Sequence, residues 1–356
     1  MVGSWSPLPS DTSELDADAE ELRNFFGNDN RFAYIKAIEA GGFGTAHRLQ
    51  YTETINGAVY RIDFLVKLAH QRLDAEEAMV KERNYLRILQ GGMHFVKMLE
   101  IPNNPLQTNT FEGDWLILEW LPNGTLDEFI MKARRDFKLS QLPNRVLWRF
   151  FLCFIRASCG MAWPINRHDG MEEIEFPKPG VRPSGFLHGD LHPGNVMLGD
   201  FQPDGDHIIT PAIKLIDFGG GLPGLDDRPN DPATENLKDI AVLMLQLITM
   251  DWRITEGNTP VSIFHLGREI KTFANPILPP TPWDPSPYPW VDPWLVTLIA
   301  LCLATEPQNV PSLPELTLYG QQAVRERTAA FYDDPDESNI AIYNLMRTIL
   351  YDAPTD

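Results

Sequence analysis

His188-Gly-Asp-Leu-His-Pro-Gly-Asn195 and Ile216-Asp-Phe-Gly219 are the most informative stretches of this 356-residue chain. A short apolar run follows the first stretch, and another leads into the second. The pattern predicts a tight polar loop beside two short strands. Magnesium prefers oxygen ligands, so the amide of Asn195 and the carboxylate of Asp217 are candidate ligands for that ion. A polar turn with incidental acids is the alternative.

The spacing of Asp190, Asn195 and the downstream Asp217-Phe-Gly resembles the catalytic core of the protein-kinase-like superfamily. The wording of residues 188–195 is closer to aminoglycoside and choline kinases than to most protein kinases. The resemblance extends over about residues 31–315. It implies ATP and Mg²⁺ as cofactors, and transfer of the γ-phosphate of ATP to a hydroxyl group.

Strand patterns dominate the early part of the chain and helical patterns the remainder, which predicts an α+β fold. We expect a bilobal protein-kinase-like arrangement, with a small β-rich N-lobe at 31–121 and a larger helical C-lobe at 122–356. The polar, acidic residues 1–30 predict a mobile arm that ends in a short helix. Insertions at 164–183 and 200–211 flank the motif loop, and no motif assigns them a role.

The resemblance implies a role for each polar residue of the motif. Asp190 orients the acceptor hydroxyl and takes its proton, while Asn195 and Asp217 hold Mg²⁺. His192 stands where protein kinases often carry a phosphate-contacting lysine, so it either contacts phosphate or bonds backbone within its own loop. Asp239 matches a position that bonds the catalytic-loop backbone, although the helix dipole also favours an acid at a helix start.

A buried ion pair is predicted from helical periodicity alone. On the helix expected after residue 73, Glu82 shares an apolar stripe with Met79. A buried carboxylate needs a partner, and Lys67 lies on the polar face of the preceding strand. Glu76 or Glu77 is the alternative partner if Glu82 faces water. In the superfamily, such a pair holds the lysine ammonium toward ATP phosphates, which makes Lys67 and Glu82 candidate catalytic residues.

A glycine-rich turn precedes this lysine. Gly41-Gly42-Phe43-Gly44 resembles the phosphate-covering loop of the superfamily, with Glu39 in place of the first family glycine. Glycines there let backbone N–H groups approach phosphate without a Cβ clash. An ordinary hairpin turn is the alternative interpretation.

The segment Leu118-Glu119-Trp120-Leu121 resembles the hinge that joins the two lobes. The resemblance implies that backbone groups of Glu119 and Leu121 bind the adenine edge, and that Leu118 lines the nucleotide pocket. A simple strand between two domains is the alternative interpretation.

Composition limits the partners and the compartment. A net charge of −19 disfavours nucleic acid and anionic membranes, so ATP and a hydroxyl acceptor are the expected partners. Neither a signal-peptide pattern nor a membrane-length apolar run is present, which predicts a cytoplasmic protein. Cys153, Cys159 and Cys302 form no Cys-x-x-Cys pair, and we expect them to be small core residues in a reducing compartment.

Two departures from protein kinases leave the acceptor open. Gly189 stands where most protein kinases have arginine, and no Ala-Pro-Glu follows the Asp-Phe-Gly. A protein Ser/Thr kinase and a small-molecule kinase of aminoglycoside or choline kinase type both fit the motifs. A non-catalytic nucleotide-binding module is the third alternative, against which the intact Lys67, Asp190, Asn195 and Asp217 argue.

Overall fold

The computed structural model describes residues 9–101, 115–202, 205–221 and 231–352. The chain has a mixed α+β fold and divides into two compact units. The first unit contains the residues up to Gln90, Val96–Trp120 and Phe218–Gly220, and the second contains Gly91–Phe95, Leu121–Asp217 and the residues from Gly221 onward.

The α-helices of the described residues are α1 Pro9–Phe26, α2 Leu73–Leu89, α3 Leu126–Arg135, α4 Asn144–Ala162, α5 Pro232–Thr249, α6 Pro293–Cys302, α7 Leu313–Glu326, α8 Ala329–Tyr332 and α9 Asn339–Arg347. The strands are β1 Phe32–Ala40, β2 Gly44–Ile55, β3 Ala58–Ala69, β4 Trp115–Glu119, β5 Val196–Leu198, β6 Ile213–Leu215, β7 Val261–His265 and β8 Arg268–Thr272. Short 3₁₀ turns include Pro193–Asn195 and Gly205–His207.

The first unit is built on an antiparallel sheet in the order β1-β2-β3-β4. β2 and β3 are joined at Asn56-Gly57, where both residues have positive φ angles of 50° and 82°. A two-residue hairpin with this backbone matches the twist of the strands it joins, which is why asparagine and glycine are favoured there. The Asn56-Gly57 dipeptide between two strand-like runs by itself predicts this hairpin, and the prediction is confirmed.

Helix α1 packs on one face of this sheet. Leu22 and Phe26 are buried in a cluster with Phe32, Leu49 and Phe64. The Thr45 hydroxyl, at the start of β2, also donates to a carboxylate oxygen of helix residue Asp18 at 2.5 Å. The prediction of a mobile arm with only a short helix is therefore wrong for residues 9–26, while residues 1–8 lie outside the described part. The acidic composition of this helix made its apolar face hard to recognise in the sequence, because only two of its side chains reach the centre of the cluster.

Shortening Phe26 tests the packing of α1. Phe26→Ala removes a fully buried ring and is expected to lower the free energy of unfolding of the protein by about 3 kcal/mol. Glu20→Ala on the exposed side of the same helix is the control and should change it by less than about 0.5 kcal/mol. Urea denaturation measures both variants, and equal stability of the two would contradict the packing of this helix on the sheet.

Helix α2 begins one residue before the predicted start. Asp74 followed three residues later by Glu77 is a capping-box pattern, which predicts a helix start at Asp74. That prediction is wrong, because Arg72 is the N-cap and makes no side-chain cap bond. Asp74 is the second residue of the helix, so its carboxylate does not occupy the N-cap position that a capping box requires.

The second unit is organised around α4, whose residues are almost all buried. Its Trp148 indole donates to the carboxylate of Asp292, which also accepts bonds from Arg327 and Tyr332. β5 and β6 form a short antiparallel hairpin, and β7 and β8 form another that the sequence analysis did not predict. None of the described helices combines the length and the apolar character needed to cross a membrane.

Candidate functional site

The loop from Asp190 to Asn195 is closed by its own side chains. The Asn195 amide Nδ2 donates to the main-chain oxygen of Asp190 at 2.8 Å and lies 3.4 Å from the Asp190 carboxylate. The 3₁₀ turn Pro193–Asn195 ends the loop, and β5 begins at the next residue. Asn195 is buried, so its amide acts as a rigid brace between the two ends of the loop.

A second tie joins this loop to the strand end that carries Asp217. The backbone N–H of Ile216 donates to the carbonyl of Asn195 at 3.1 Å, and Val196 pairs with Leu215 in the β5–β6 hairpin. Asp217 has a φ of 60°, a left-handed conformation that few residues other than glycine adopt. Strained backbone of this kind is concentrated at functional sites.

His188 bridges the same two segments. Its Nε2–H donates to the carbonyl of Ile216 at 3.1 Å, and its Nδ1 accepts from the N–H of Asp190 at 3.4 Å. Burial of this fully enclosed ring lowers its pKa to about 4, so the imidazole is neutral and can donate from one nitrogen and accept on the other. His188 therefore ties the backbone at Asp190 to the strand end before Asp217.

Asn236 of α5 holds the segment that enters the loop. Its Oδ1 accepts from the N–H of His188, and its Nδ2 donates to the carbonyl of Phe186. Asp239 was the residue expected to bond this backbone, and Asn236, one turn earlier, makes the bonds instead. His188 could have been found from its place in the motif, whereas no local signal distinguishes Asn236.

The neutral state of His188 predicts a pH effect on stability. The unfolded chain takes up a proton near the ordinary pKa of 6.5 and the folded protein only near 4, so stability is lost as pH falls through this interval. Between pH 7.5 and 5, wild type should lose about 2 kcal/mol more of its unfolding free energy than His188→Gln. Urea denaturation at both pH values measures the difference.

His192→Gln is the matched control for this experiment, because His192 is exposed and only two residues from Asp190. It should follow the wild-type pH dependence. An equal loss in wild type and His188→Gln would show that His188 does not stay neutral in the folded protein.

Asp190 and His192 face solvent. Their side chains are 63% and 52% exposed, and the closest approach of their side chains is 3.9 Å. The Nδ1 of His192 accepts from the N–H of Gly194 at 3.1 Å. Of the two roles expected for His192, a backbone bond within the loop is present, while a phosphate contact stays a prediction. The exposed carboxylate of Asp190 is placed where an external hydroxyl can reach it.

Lys67 and Glu82 meet in the first unit. The Lys67 Nζ lies 2.6 Å from Glu82 Oε2, and the Glu82 side chain is only 2% exposed. Met79 and Leu86 are buried on the same stripe of α2. The contact predicted from the helical stripe is confirmed, because β3 and α2 turn the two side chains toward each other.

The glycine-rich turn is held in place by the residues that follow β3. The N–H and Nε2 of His70 bond the carbonyls of Phe43 and Gly41, and the Gly41 N–H donates to Gly44 at 2.7 Å. A Cβ on Gly44 would lie 2.0 Å from the carbonyl oxygen of Leu68, so the sheet itself requires this glycine. The turn itself therefore uses the N–H of Gly41, and phosphate contacts of the loop amides stay a prediction.

The predicted hinge residues are divided between the two units. In the first unit, Leu118 is buried and pairs with Leu65. The N–H of Glu119 donates to the carbonyl of Lys97 at 2.9 Å, and a contact of its backbone with adenine stays a prediction. In the second unit, Leu121 is buried.

Comparison with known proteins does not assign the chain to a family. The chain matches no protein-family model, and no curated protein is recognisably similar to it.

Proposed function

We propose that this protein is an ATP- and Mg²⁺-dependent phosphotransferase of bilobal protein-kinase-like fold that moves the γ-phosphoryl group of ATP to a hydroxyl. One observation carries the proposal: the brace from Asn195 to Asp190, tied by a backbone bond to the residue before Asp217. The tie holds Asp190, Asn195 and Asp217 in adjoining segments, which supports the proposal because phosphoryl transfer depends on positioning.

Asp190 acts as the acceptor base. The acceptor hydroxyl donates a hydrogen bond to its carboxylate, and the hydroxyl oxygen forms a new bond to the γ-phosphorus. The bond to the leaving ADP oxygen breaks, ADP keeps the electron pair, and the hydroxyl proton passes to Asp190. The exposure of this side chain, at 63%, supports access by an external acceptor.

The residues present fit a magnesium ion. The NH₂ end of the Asn195 amide is bonded to Asp190, so its Oδ1 is the end that can act as a ligand beside the Asp217 carboxylate. Both are hard oxygen donors, which Mg²⁺ prefers. When bound, the ion would neutralise charge on the ATP phosphates. Local cations matter here because the chain carries a net charge of −19.

Lys67 supplies the local positive charge. The ion pair with the buried Glu82 fixes its ammonium group in one direction, and in this role the amine binds ATP phosphate oxygens. A lysine held by one buried carboxylate loses little further side-chain freedom when a nucleotide binds. The pair therefore supports nucleotide binding in the first unit.

A small hydroxyl compound is the second candidate acceptor, beside a protein serine or threonine. Gly189 has a φ of 82°, a conformation that strains any residue with a Cβ. The arginine of most protein kinases at this position is thus disfavoured by the backbone itself. A loop without that arginine favours the small-molecule class, whose motif wording the chain also shares.

Transfer of labelled phosphate tests the proposal. Purified protein with [γ-³²P]ATP, Mg²⁺ and a cell extract is expected to label one component, and separation into protein and metabolite fractions assigns the acceptor class. Asp217→Ala is the control and should reduce labelling to background. Equal labelling by wild type and Asp217→Ala in every fraction would overturn the proposal.

A further inference from the structure

We propose that the second unit holds a buried zinc ion bound by His94, Cys153 and His207. One ligand atom from each residue lies within 4.8 Å of the other two, and all three side chains are buried. A thiolate with two imidazoles is a donor set that zinc accepts and that magnesium does not. The site is therefore distinct from the oxygen ligands of the proposed phosphotransferase and does not depend on that proposal.

Two ring nitrogens of the cluster are buried without a hydrogen bond among the described residues. Nε2 of His94 and Nε2 of His207 make no hydrogen bond to the residues that the structure describes. The thiol of Cys153 interacts with the rings of His94 and His207, and its contact to Nδ1 of His207 is 4.0 Å, at the limit for a hydrogen bond to sulfur. A buried polar atom without a partner costs about 1–3 kcal/mol, and a bound ion removes that cost.

Glu175 orients His94 for metal binding. Its carboxylate, buried like the ring, accepts from His94 Nδ1 at 2.6 Å and from the His94 backbone N–H at 2.9 Å. A proton held on Nδ1 leaves the lone pair on Nε2, the form of imidazole that binds metal. Carboxylate–histidine pairs of this kind commonly support zinc ligands.

Two arginines hold His207 against the helix that carries Cys153. Arg149 donates to the carbonyl of Asp206, and Arg156 forms an ion pair with the Asp206 carboxylate. Arg149, Cys153 and Arg156 lie on one face of α4, because they are four and three residues apart. The turn that ends at His207 is thus clamped on both sides of the thiol.

The geometry needs only a small closure to accept the ion. Bonds of about 2.0 Å to nitrogen and 2.3 Å to sulfur place ligand atoms about 3.3–3.5 Å apart around a tetrahedral ion. The ligand atoms now lie within 4.8 Å of one another, so they must approach by at most about 1.5 Å. Zinc(II), one thiolate and the Glu175 carboxylate sum to no net charge, which suits a buried site.

The site gives both insertions a function. Glu175 belongs to the insertion at 164–183 and His207 to the one at 200–211, whereas Cys153 lies in the core helix α4. Binding the ion fastens these irregular segments, which carry little regular structure, to the core of the second unit. Binding free energy at such a site adds directly to folding free energy.

Metal content of the purified protein tests the assignment. The full-length chain, expressed without a polyhistidine tag, is expected to contain about one zinc ion per chain by mass spectrometry of its metals. Cys153→Ser and His207→Ala should fall below about a tenth of that content. Cys302→Ser is the matched control, because Cys302 is equally buried and outside the cluster, and it should keep its zinc.

A second measurement uses wild-type protein and therefore does not depend on whether the variants fold. Wild-type protein treated with a strong chelator should show a lower Tm, restored by zinc, and cobalt should give the absorption of a thiolate-bound Co²⁺ ion. A wild-type protein prepared with zinc that holds no metal, shows no cobalt absorption and has an unchanged Tm would overturn the site. The zinc assignment would be overturned if wild-type protein exposed to equal amounts of zinc and copper bound one copper ion per chain. Full zinc content in Cys153→Ser would also overturn it.

Discussion

Asp217→Ala is expected to abolish Mg²⁺-dependent ATP binding, whereas Asp190→Asn keeps ATP binding and lowers transfer by about a thousandfold. The two effects differ because the proposed roles differ: Asp217 is a metal ligand and Asp190 is the base for the acceptor. The asparagine at 190 keeps the size of the side chain and loses only the ability to take a proton. Calorimetry with Mg-ATP measures binding, and labelled ATP measures transfer.

The control for both variants is Asp333→Asn. Asp333 is exposed and has a φ of 50°, a conformation that asparagine also tolerates, so this change should leave binding and transfer intact. Wild-type turnover by Asp190→Asn would remove the base assignment. Unchanged Mg-ATP affinity in Asp217→Ala would remove the ligand assignment while leaving Asp190 untouched.

The second large effect is expected for the ion pair of the first unit. Lys67→Ala and Glu82→Ala should each lower kcat/KM by about a hundredfold or more, and the double variant should be little worse than either single one. The reason is that Glu82 acts through Lys67: once the lysine is absent, its buried partner has nothing left to position. Steady-state kinetics on wild type, the two single variants and the double variant gives the kcat/KM values for this double-mutant cycle.

Glu77→Ala separates this effect from a general loss of helix charge. Glu77 is exposed on the same helix and was the alternative partner for Lys67, so its removal should change kcat/KM less than twofold. Multiplicative losses in the double variant would show that Lys67 and Glu82 contribute independently. Thermal melts of each protein confirm that the single variants remain folded.

The proposed zinc site is connected to the strand end that carries Asp217. The carbonyl of His94 accepts from the N–H of Leu215, two residues before Asp217. Loss of the ion should therefore loosen the β5–β6 hairpin first. Hydrogen exchange of the Leu215 amide before and after chelation is the direct measure, with faster exchange expected in the chelated protein.

The sequence alone determined the features that depend on neighbours along the chain. The hairpin at Asn56-Gly57 requires only two residues that tolerate positive φ, and the burial of Glu82 followed from its place on one stripe of a helix. Because β3 leads into α2 by a short turn, the same stripe also identified Lys67 as the partner. Acidic composition gave a wrong prediction for α1, because two buried apolar side chains pack this helix on the sheet in spite of its many charged residues.

Only the tertiary structure decided the contacts between residues that are remote in sequence. Asn236 bonds the entry to the motif loop from 48 residues downstream, and no local pattern marks it. Cys153 and His207 are 54 residues apart, and His94 and Glu175 are 81 apart. Periodicity reports which face of a helix or strand is buried and does not report what lies opposite. Those contacts form only when folding brings distant segments together. Cys153, predicted as an ordinary core residue, therefore becomes a candidate metal ligand only in the folded chain.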